Sequence, residues 1–205
     1  MTSGGVFDRL MRASVDRAQR MQPKRTQRVA DELLYASPAA RDDVAALRTA
    51  AARLVEVGIM LPTIGAVALR RSDDRAMVTI AGTDLTQIDN RSVESVPLAD
   101  RRTPAMAGLR AGGNAAVHGF PPHVVALCEA GEAWDESVSD LVDMAGAVRV
   151  VSEVDDIRTG LTVLTGRGVV STHDDPVAAA ARMEAAEVLA RMTIIRHTMR
   201  RRQDG

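Results

Sequence analysis

Aromatic side chains are almost missing from this chain of 205 residues: one tryptophan, one tyrosine and two phenylalanines make up 2% of it. The apolar fraction is nevertheless 46%, so the core must be packed from Ala, Val, Leu, Ile and Met. Few aromatics also leave little on which nucleobases could stack. Lys24 is the only lysine, and arginine supplies the rest of the basic side. The formal net charge is -1, which gives no global field towards nucleic acid or an anionic membrane. Cys128 stands alone, which excludes an internal disulfide and fits a reducing cytosol. No apolar run reaches the ~20 residues that span a bilayer. The N-terminus has polar and charged residues where a signal peptide needs an apolar stretch. The expectation is a cytoplasmic, soluble protein with neither nucleic-acid nor membrane partners. Its length suits one main domain with a sizeable core.

Residues 1–41 read as a helical N-terminal extension, with short helices over 6–20 and 25–35. The first breaks at Gln22-Pro23 and the second stops at Ser37-Pro38. The main domain, 42–205, opens with a helix from Asp42 to Val57. Val44, Leu47, Ala51, Leu54 and Val55 form its stripe, and Gly58 ends it. Short strands follow at 66–70, 75–80, 92–98 and 115–118. Helices are expected at 103–110 and from Pro122 to Glu129, where prolines stand at the start. Residues 131–143 are acidic and read as loop. A strand at 148–151, a short capped helix at 152–157 and a hairpin over 161–171 come next, with Thr165-Gly166-Arg167 at the hairpin tip.

The closing helix begins near Asp174-Asp175-Pro176. Ala181, Ala185, Val188, Leu189, Met192, Ile195 and Met199 form one apolar face. His173 reads as part of its N-terminus, and His197 as a complement to the dipole at its C-terminal end. A helix, several strands with interposed short helices and a long closing helix predict a layered α/β domain.

One segment carries chemistry. Val117-His118-Gly119-Phe120-Pro121-Pro122-His123 delivers a histidine from a strand and then opens a helix on two prolines. It resembles the His-X-His-Pro signature of the class II aldolase/adducin family, with Phe120 where the second histidine would stand. Four further segments are similar to that family in the same order. They are Leu54 to Gly58, Gly65-Ala66-Val67-Ala68-Leu69-Arg70, Met77 to Asp84, and Val163 to Val170 followed by Met183-Glu184-Ala185-Ala186. The resemblance spans roughly Asp42 to Met199. It implies a three-layer α/β domain whose central, mostly antiparallel sheet is flanked by helices. It also implies homo-oligomers, commonly tetramers, with sites near subunit interfaces.

By the same resemblance, three histidines and often a glutamate hold a divalent metal that polarises a carbonyl and stabilises an enediolate. His118 is then the only retained ligand. Phe120 replaces the second, and Arg167, a permanent cation, replaces the third. Asp100 is the nearest carboxylate to the acidic position. The positions that cradle a substrate phosphate read Ala66, Ala68 and Ala81, while Thr79, Gly82 and Thr83 keep some donors. The expectation is therefore no cofactor, with zinc or another divalent metal only if the ligands lie elsewhere, for instance if His118, His123 and His173 meet in space.

Two functional classes follow from the resemblance. One is a non-catalytic binding or assembly protein, a pseudoenzyme in the adducin sense. The other is a lyase or isomerase acting on a small anionic carbonyl compound. There His118 serves as base, Arg167 as anion clamp, and Thr79, Gly82 and Thr83 as further anion contacts. Elsewhere, Cys128 reads as a buried small hydrophobe, and Asp73-Asp74 and Asp155-Asp156 as turn or cap residues.

Overall fold

Seven short strands form one sheet in the order β3-β2-β1-β4-β7-β6-β5, as seen in a computed structural model that describes residues 38–203 apart from 136 and 138. The elements are α1 (Pro38–Glu56), β1 (Ala66–Arg70), β2 (Arg75–Thr79), β3 (Val93–Pro97), α2 (Pro104–Arg110), β4 (Ala115–Gly119), α3 (Pro122–Glu129), α4 (Ser139–Ala145), β5 (Val148–Val151), a 3-10 turn (Val154–Asp156), β6 (Leu161–Leu164), β7 (Gly168–His173) and α5 (Pro176–Gln203). Every pairing is antiparallel except β5 with β6, which is parallel. Helices lie on both faces, so the layered α/β domain with a mostly antiparallel sheet is the observed fold.

The strands form where apolar and β-branched residues run short between turns. The register aligns one row across the sheet: Ala66 faces His118, His118 faces Val170, and Val170 faces Thr162. Opposed residues share a face. On this face α2 packs its Ala105, Met106 and Leu109 against Ala66, Ala68, Ala76, Val78, Val96 and Ala116. The small side chains let the helix sit close. A Cβ added to Gly108 would fall 2.8 Å from Thr172 Cγ2 and 3.0 Å from Ala116 Cβ. On the opposite face α5 covers β4, β7 and β1, and α3 packs against α5. With almost no aromatic rings available, this alanine-rich close packing is how the core is filled.

Several expectations change. The first helix starts at Pro38, four residues before the expected Asp42, and a proline fits the first helical position because it lacks only an N–H that would have no intrahelical partner. Residues 1–37 lie outside the described residues, so the expected helices there do too. The acidic stretch read as loop contains α4. His173 is the last residue of β7, not part of the α5 N-terminus. Asp175 is the side chain that accepts from the Ala178 N–H at 2.9 Å and opens that helix. The single apolar face read on α5 is split. Ala179, Ala180, Met183, Ala186, Leu189 and Ala190 are buried, whereas Val188, Ile195 and Met199 are 43%, 48% and 58% exposed. A sheet this narrow covers only the alanine-rich side of a 28-residue helix. Cys128 is half-buried, not enclosed, and Trp134 bonds its sulfur.

Candidate functional site

The antiparallel order brings the starts of β1, β3 and β7 and the ends of β2, β4 and β6 to one end of the sheet. His118, Phe120, Thr79, the Gly82-Thr83 turn and the Arg167 hairpin tip all stand at this end. Asp100 follows the far end of β3, where its carboxylate bonds Arg102, so it is not a fourth ligand for His118. His173 also belongs to the far end. His118 faces Val170 and His173 faces Ala115, which separates them by about 10 Å along the ladder and puts them on opposite faces. The alternative in which His118, His123 and His173 converge is excluded by that register.

His118 is buried, and its Nε2 lies 2.7 Å from the backbone oxygen of Arg167. A carbonyl only accepts, so Nε2 carries the hydrogen and donates it. Burial depresses the imidazole pKa, and the bond to the Arg167 carbonyl opposes this only in part. The ring is therefore neutral, donates through Nε2, and has one lone pair left, on Nδ1. Arg167 is brought beside His118 as expected, but through its main chain. Its side chain is exposed at the hairpin tip.

Phe120 completes this arrangement. Its ring meets that of His118 edge-on, with centroids 5.1 Å apart, and its N–H donates to Ile59 O at 2.8 Å. The ring also lies against Gly168, where an added Cβ would be 2.9 Å from two ring carbons and 2.5 Å from Gly119 O. Gly168 has φ +91°, so glycine is required there twice over, for backbone conformation and for space. One imidazole nitrogen, a phenyl ring and a guanidinium do not fit a three-histidine metal centre. Among the described residues, no group of three or more His, Cys, Asp or Glu side chains is placed to hold a metal ion.

The expected anion contacts are committed locally. Thr79 is buried on the face of the sheet opposite His118, and its hydroxyl accepts from the Val67 N–H at 3.1 Å. Thr83 donates its N–H to Ile80 O at 3.1 Å, and its hydroxyl reaches Ser92 O at 3.5 Å. With Gly82 at φ +79°, this is a type II turn. Gly82 lies at its exposed tip.

The residue that the sequence reading missed is Glu187. Its carboxylate crosses from α5 to the start of α3 and accepts from the N–H groups of His123 and Val124 at 3.1 Å each. His123 Nδ1 also lies 2.5 Å from it. Pro121 at the cap position offers no side-chain acceptor, and Pro122 has no N–H. The two donors that Glu187 satisfies are thus the first that α3 exposes. A helix opened by two prolines without Ser, Thr, Asp or Asn before them was the available signal.

Comparison with known proteins gives no match to a family model and none to a curated protein. Solved structures do match. The chain is similar to an L-fuculose-1-phosphate aldolase from Thermus thermophilus (19% identity, TM-score 0.65, covering 76% of this chain and 94% of that one). It is also similar to a sugar-phosphate aldolase from Thermotoga maritima (14%, TM-score 0.59, 78% and 96%). A third is the N-terminal class II aldolase domain of a conserved protein from Thermoplasma acidophilum (12%, TM-score 0.54, 74% and 93%). The chain has the class II aldolase fold. That agrees with the order of segments in the sequence, from the helix ending at Gly58 to the long closing helix. In this domain the sheet end that carries His118 is closed by Phe120 and the Arg167 carbonyl. No helix among the described residues is long and apolar enough to cross a membrane.

Proposed function

We propose that this class II aldolase-fold domain has given up metal-dependent carbon–carbon bond cleavage and acts as a non-catalytic binding or assembly protein. The observation that carries the proposal is the Nε2–H bond from His118 to the Arg167 carbonyl, with Phe120 seated on Gly168 beside it. A histidine that holds a hairpin in place is a structural part, and its neighbours offer no donor to a divalent ion. The replacement of phosphate-cradle donors by Ala66, Ala68 and Ala81 supports the same reading. Assembly is proposed as a homo-oligomer, a tetramer by the family resemblance, and the exposed Val188, Ile195 and Met199 are consistent with it.

The test is the metal content of untagged protein purified without chelators, measured by inductively coupled plasma mass spectrometry. Metal far below stoichiometric, and not restored by added zinc, is the expected result. Near-stoichiometric zinc, manganese or iron would overturn it. Light scattering that returns a monomer at working concentration would remove the oligomer.

A second reading rests on one observation: His118 is neutral and keeps an unprotonated Nδ1, and the guanidinium of Arg167 has no protein partner among the described residues. On this reading the domain is a metal-independent lyase or isomerase for a small anionic, sugar-phosphate-like carbonyl compound, with His118 as base and Arg167 as anion clamp. Unchanged turnover after His118→Ala would dispose of it.

A further inference from the structure

A cleft lies at the far end of the sheet from His118. It measures about 210 Å³ and sits between the α2–β4 turn, the loop before β6 and the first turns of α5. Gly112, Gly113 and Gly160 open its walls, and Thr159, Thr172, His173, Asp174 and Arg182 line the rest. The glycines are not interchangeable with larger residues. Gly112 and Gly160 have φ +114° and +100°, and a Cβ on Gly113 would fall 2.9 Å from Thr172 Cβ.

Arg182 is the unusual member. It is half-buried, and its guanidinium makes one hydrogen bond, from Nη1 to the backbone oxygen of Thr172. Its Nε is buried and has no partner, as has Nδ1 of His173 beside it. Asp174 lines the same cleft but forms no ion pair with Arg182, and no other carboxylate among the described residues does. Two other partly buried arginines of this domain make two hydrogen bonds each. Arg70 reaches Leu109 O and Gly113 O, and Arg196 reaches Asp135 and Ser137. A half-buried guanidinium with one neutral acceptor for five N–H groups, its Nε buried and unpaired, has donors left to bind a ligand.

We propose that this cleft is a binding site for a small oxyanion, a phosphate or carboxylate group, with Arg182 as the cation that holds it. A planar guanidinium suits both groups because two parallel N–H donors match two oxygens. The volume admits the anionic group and a few further atoms, which suits a small metabolite more than a polymer. The backbone carbonyl of Thr172 keeps Arg182 turned towards the end of β7, and the glycines leave room for the anion to approach the main chain. The site stands about 15 Å from His118 along β4, so it does not depend on how the His118 end is used.

The probe is inorganic phosphate added to the full chain. In wild-type protein, phosphate is expected to shift the amide resonances of Gly112, Gly113 and Gly160 saturably in 15N–1H correlation spectra, and to raise the melting temperature by more than about 2 °C at 10 mM. In Arg182→Met the thermal shift should be lost. Phosphate also stabilises proteins by exclusion from their surface, so a rise of equal size in the variant would overturn the proposal. Should Arg182→Met fail to fold, the wild-type spectra decide alone. Shifts that do not saturate, or that appear at Gly82 and Arg167 instead, refute this site, and the latter pattern would favour the anion clamp of the second reading. Acetate in place of phosphate separates carboxylate from phosphate recognition.

Discussion

Replacing Glu187 by alanine should destabilise this domain by about 2–4 kcal/mol, although nothing around it marks a catalytic centre. The value follows from what loses a partner. Two N–H groups at the start of α3, those of His123 and Val124, have Glu187 as acceptor. Pro121 and Pro122 cannot substitute for it. Loss of a helix-capping side chain costs about 0.5–2 kcal/mol, and an N–H left without a partner away from water costs about 1–3 kcal/mol. The Glu187 side chain is only 13% exposed, so water replaces it poorly. Urea denaturation followed by far-ultraviolet circular dichroism is the assay. With a slope of about 2 kcal/mol per molar urea, the midpoint should fall by about 1–2 M at unchanged slope. Glu187→Gln keeps one acceptor oxygen and should lose about half as much. The contribution of the His123 ring can be separated. If the main-chain bonds dominate, Glu187→Ala should cost nearly as much in a His123→Ala background as in the wild type. A loss within about 0.5 kcal/mol for Glu187→Ala would refute the capping account. A loss that vanishes in the His123→Ala background would place the energy in the side-chain pair.

Three further outcomes are expected. Gly168→Ala should be among the most damaging single-methyl substitutions in the protein, because the new Cβ would meet Gly119 O and the Phe120 ring at a left-handed backbone position; a melting temperature within 2 °C of wild type would contradict the packing described (about 0.5 kcal/mol for a domain of this size). His118 has a folded-state pKa below its unfolded value because it is buried, so the unfolded chain binds its proton more readily. The stability that this neutral ring contributes is complete above the unfolded value of about 6.5 and falls as pH drops below it; His118→Gln should flatten that slope between pH 7 and 5, and an unchanged slope would reassign it. The lowered pKa values of Asp84, Asp89 and Asp135, set by Thr86, Ser92 and Ser137, act only below the ordinary carboxylate range and do not blur this window. Finally, Ile195→Glu should leave the fold intact but lower the association state by light scattering if the exposed row on α5 is buried in the oligomer; an unchanged mass would clear that face of a role.

The fold was legible because its signals are local. β1, β2 and β4 are short apolar runs between turns, Thr103 and Pro104 announce α2, and Asp175-Pro176 announces α5. The order of segments around Gly58, Gly82, His118 and Gly168 then carried the resemblance, although identity to the solved relatives is only 12–19%. What was not legible depends on three-dimensional context. The hydrophobic period of α5 cannot tell which half of its apolar side meets the sheet, so Val188 and Ile195 read as part of the same apolar face as Ala185 and Leu189. Glu187 sits in a helix interior and looks like a solvated charge, because its partners are 63 and 64 residues away. The opposite facings of His118 and Thr79 follow from strand register, which no spacing in the sequence fixes.

The contacts around His118 form one set of mutually supporting parts. The Phe120 ring needs a surface, and Gly168 supplies one that any other residue would obstruct. At the hairpin tip the Arg167 carbonyl accepts the hydrogen bond from the Nε2–H of His118. The polar groups at this end are satisfied: His118 has an acceptor, Phe120 has its N–H on Ile59 O, and Thr79 has the Val67 N–H. Introducing single histidines should therefore not build a metal centre. Phe120→His would expose Gly168 and still leave Nε2 of His118 donating to a carbonyl, so at most two weak nitrogen donors would face a solvated arginine. Only Phe120→His combined with Arg167→His would supply the three imidazoles that the family resemblance implies. The pair of variants thus separates two outcomes: zinc bound stoichiometrically by the double but not the single variant would mean that this sheet end can hold a three-imidazole centre, and zinc bound by neither would mean that the hairpin position set by Phe120 does not allow one.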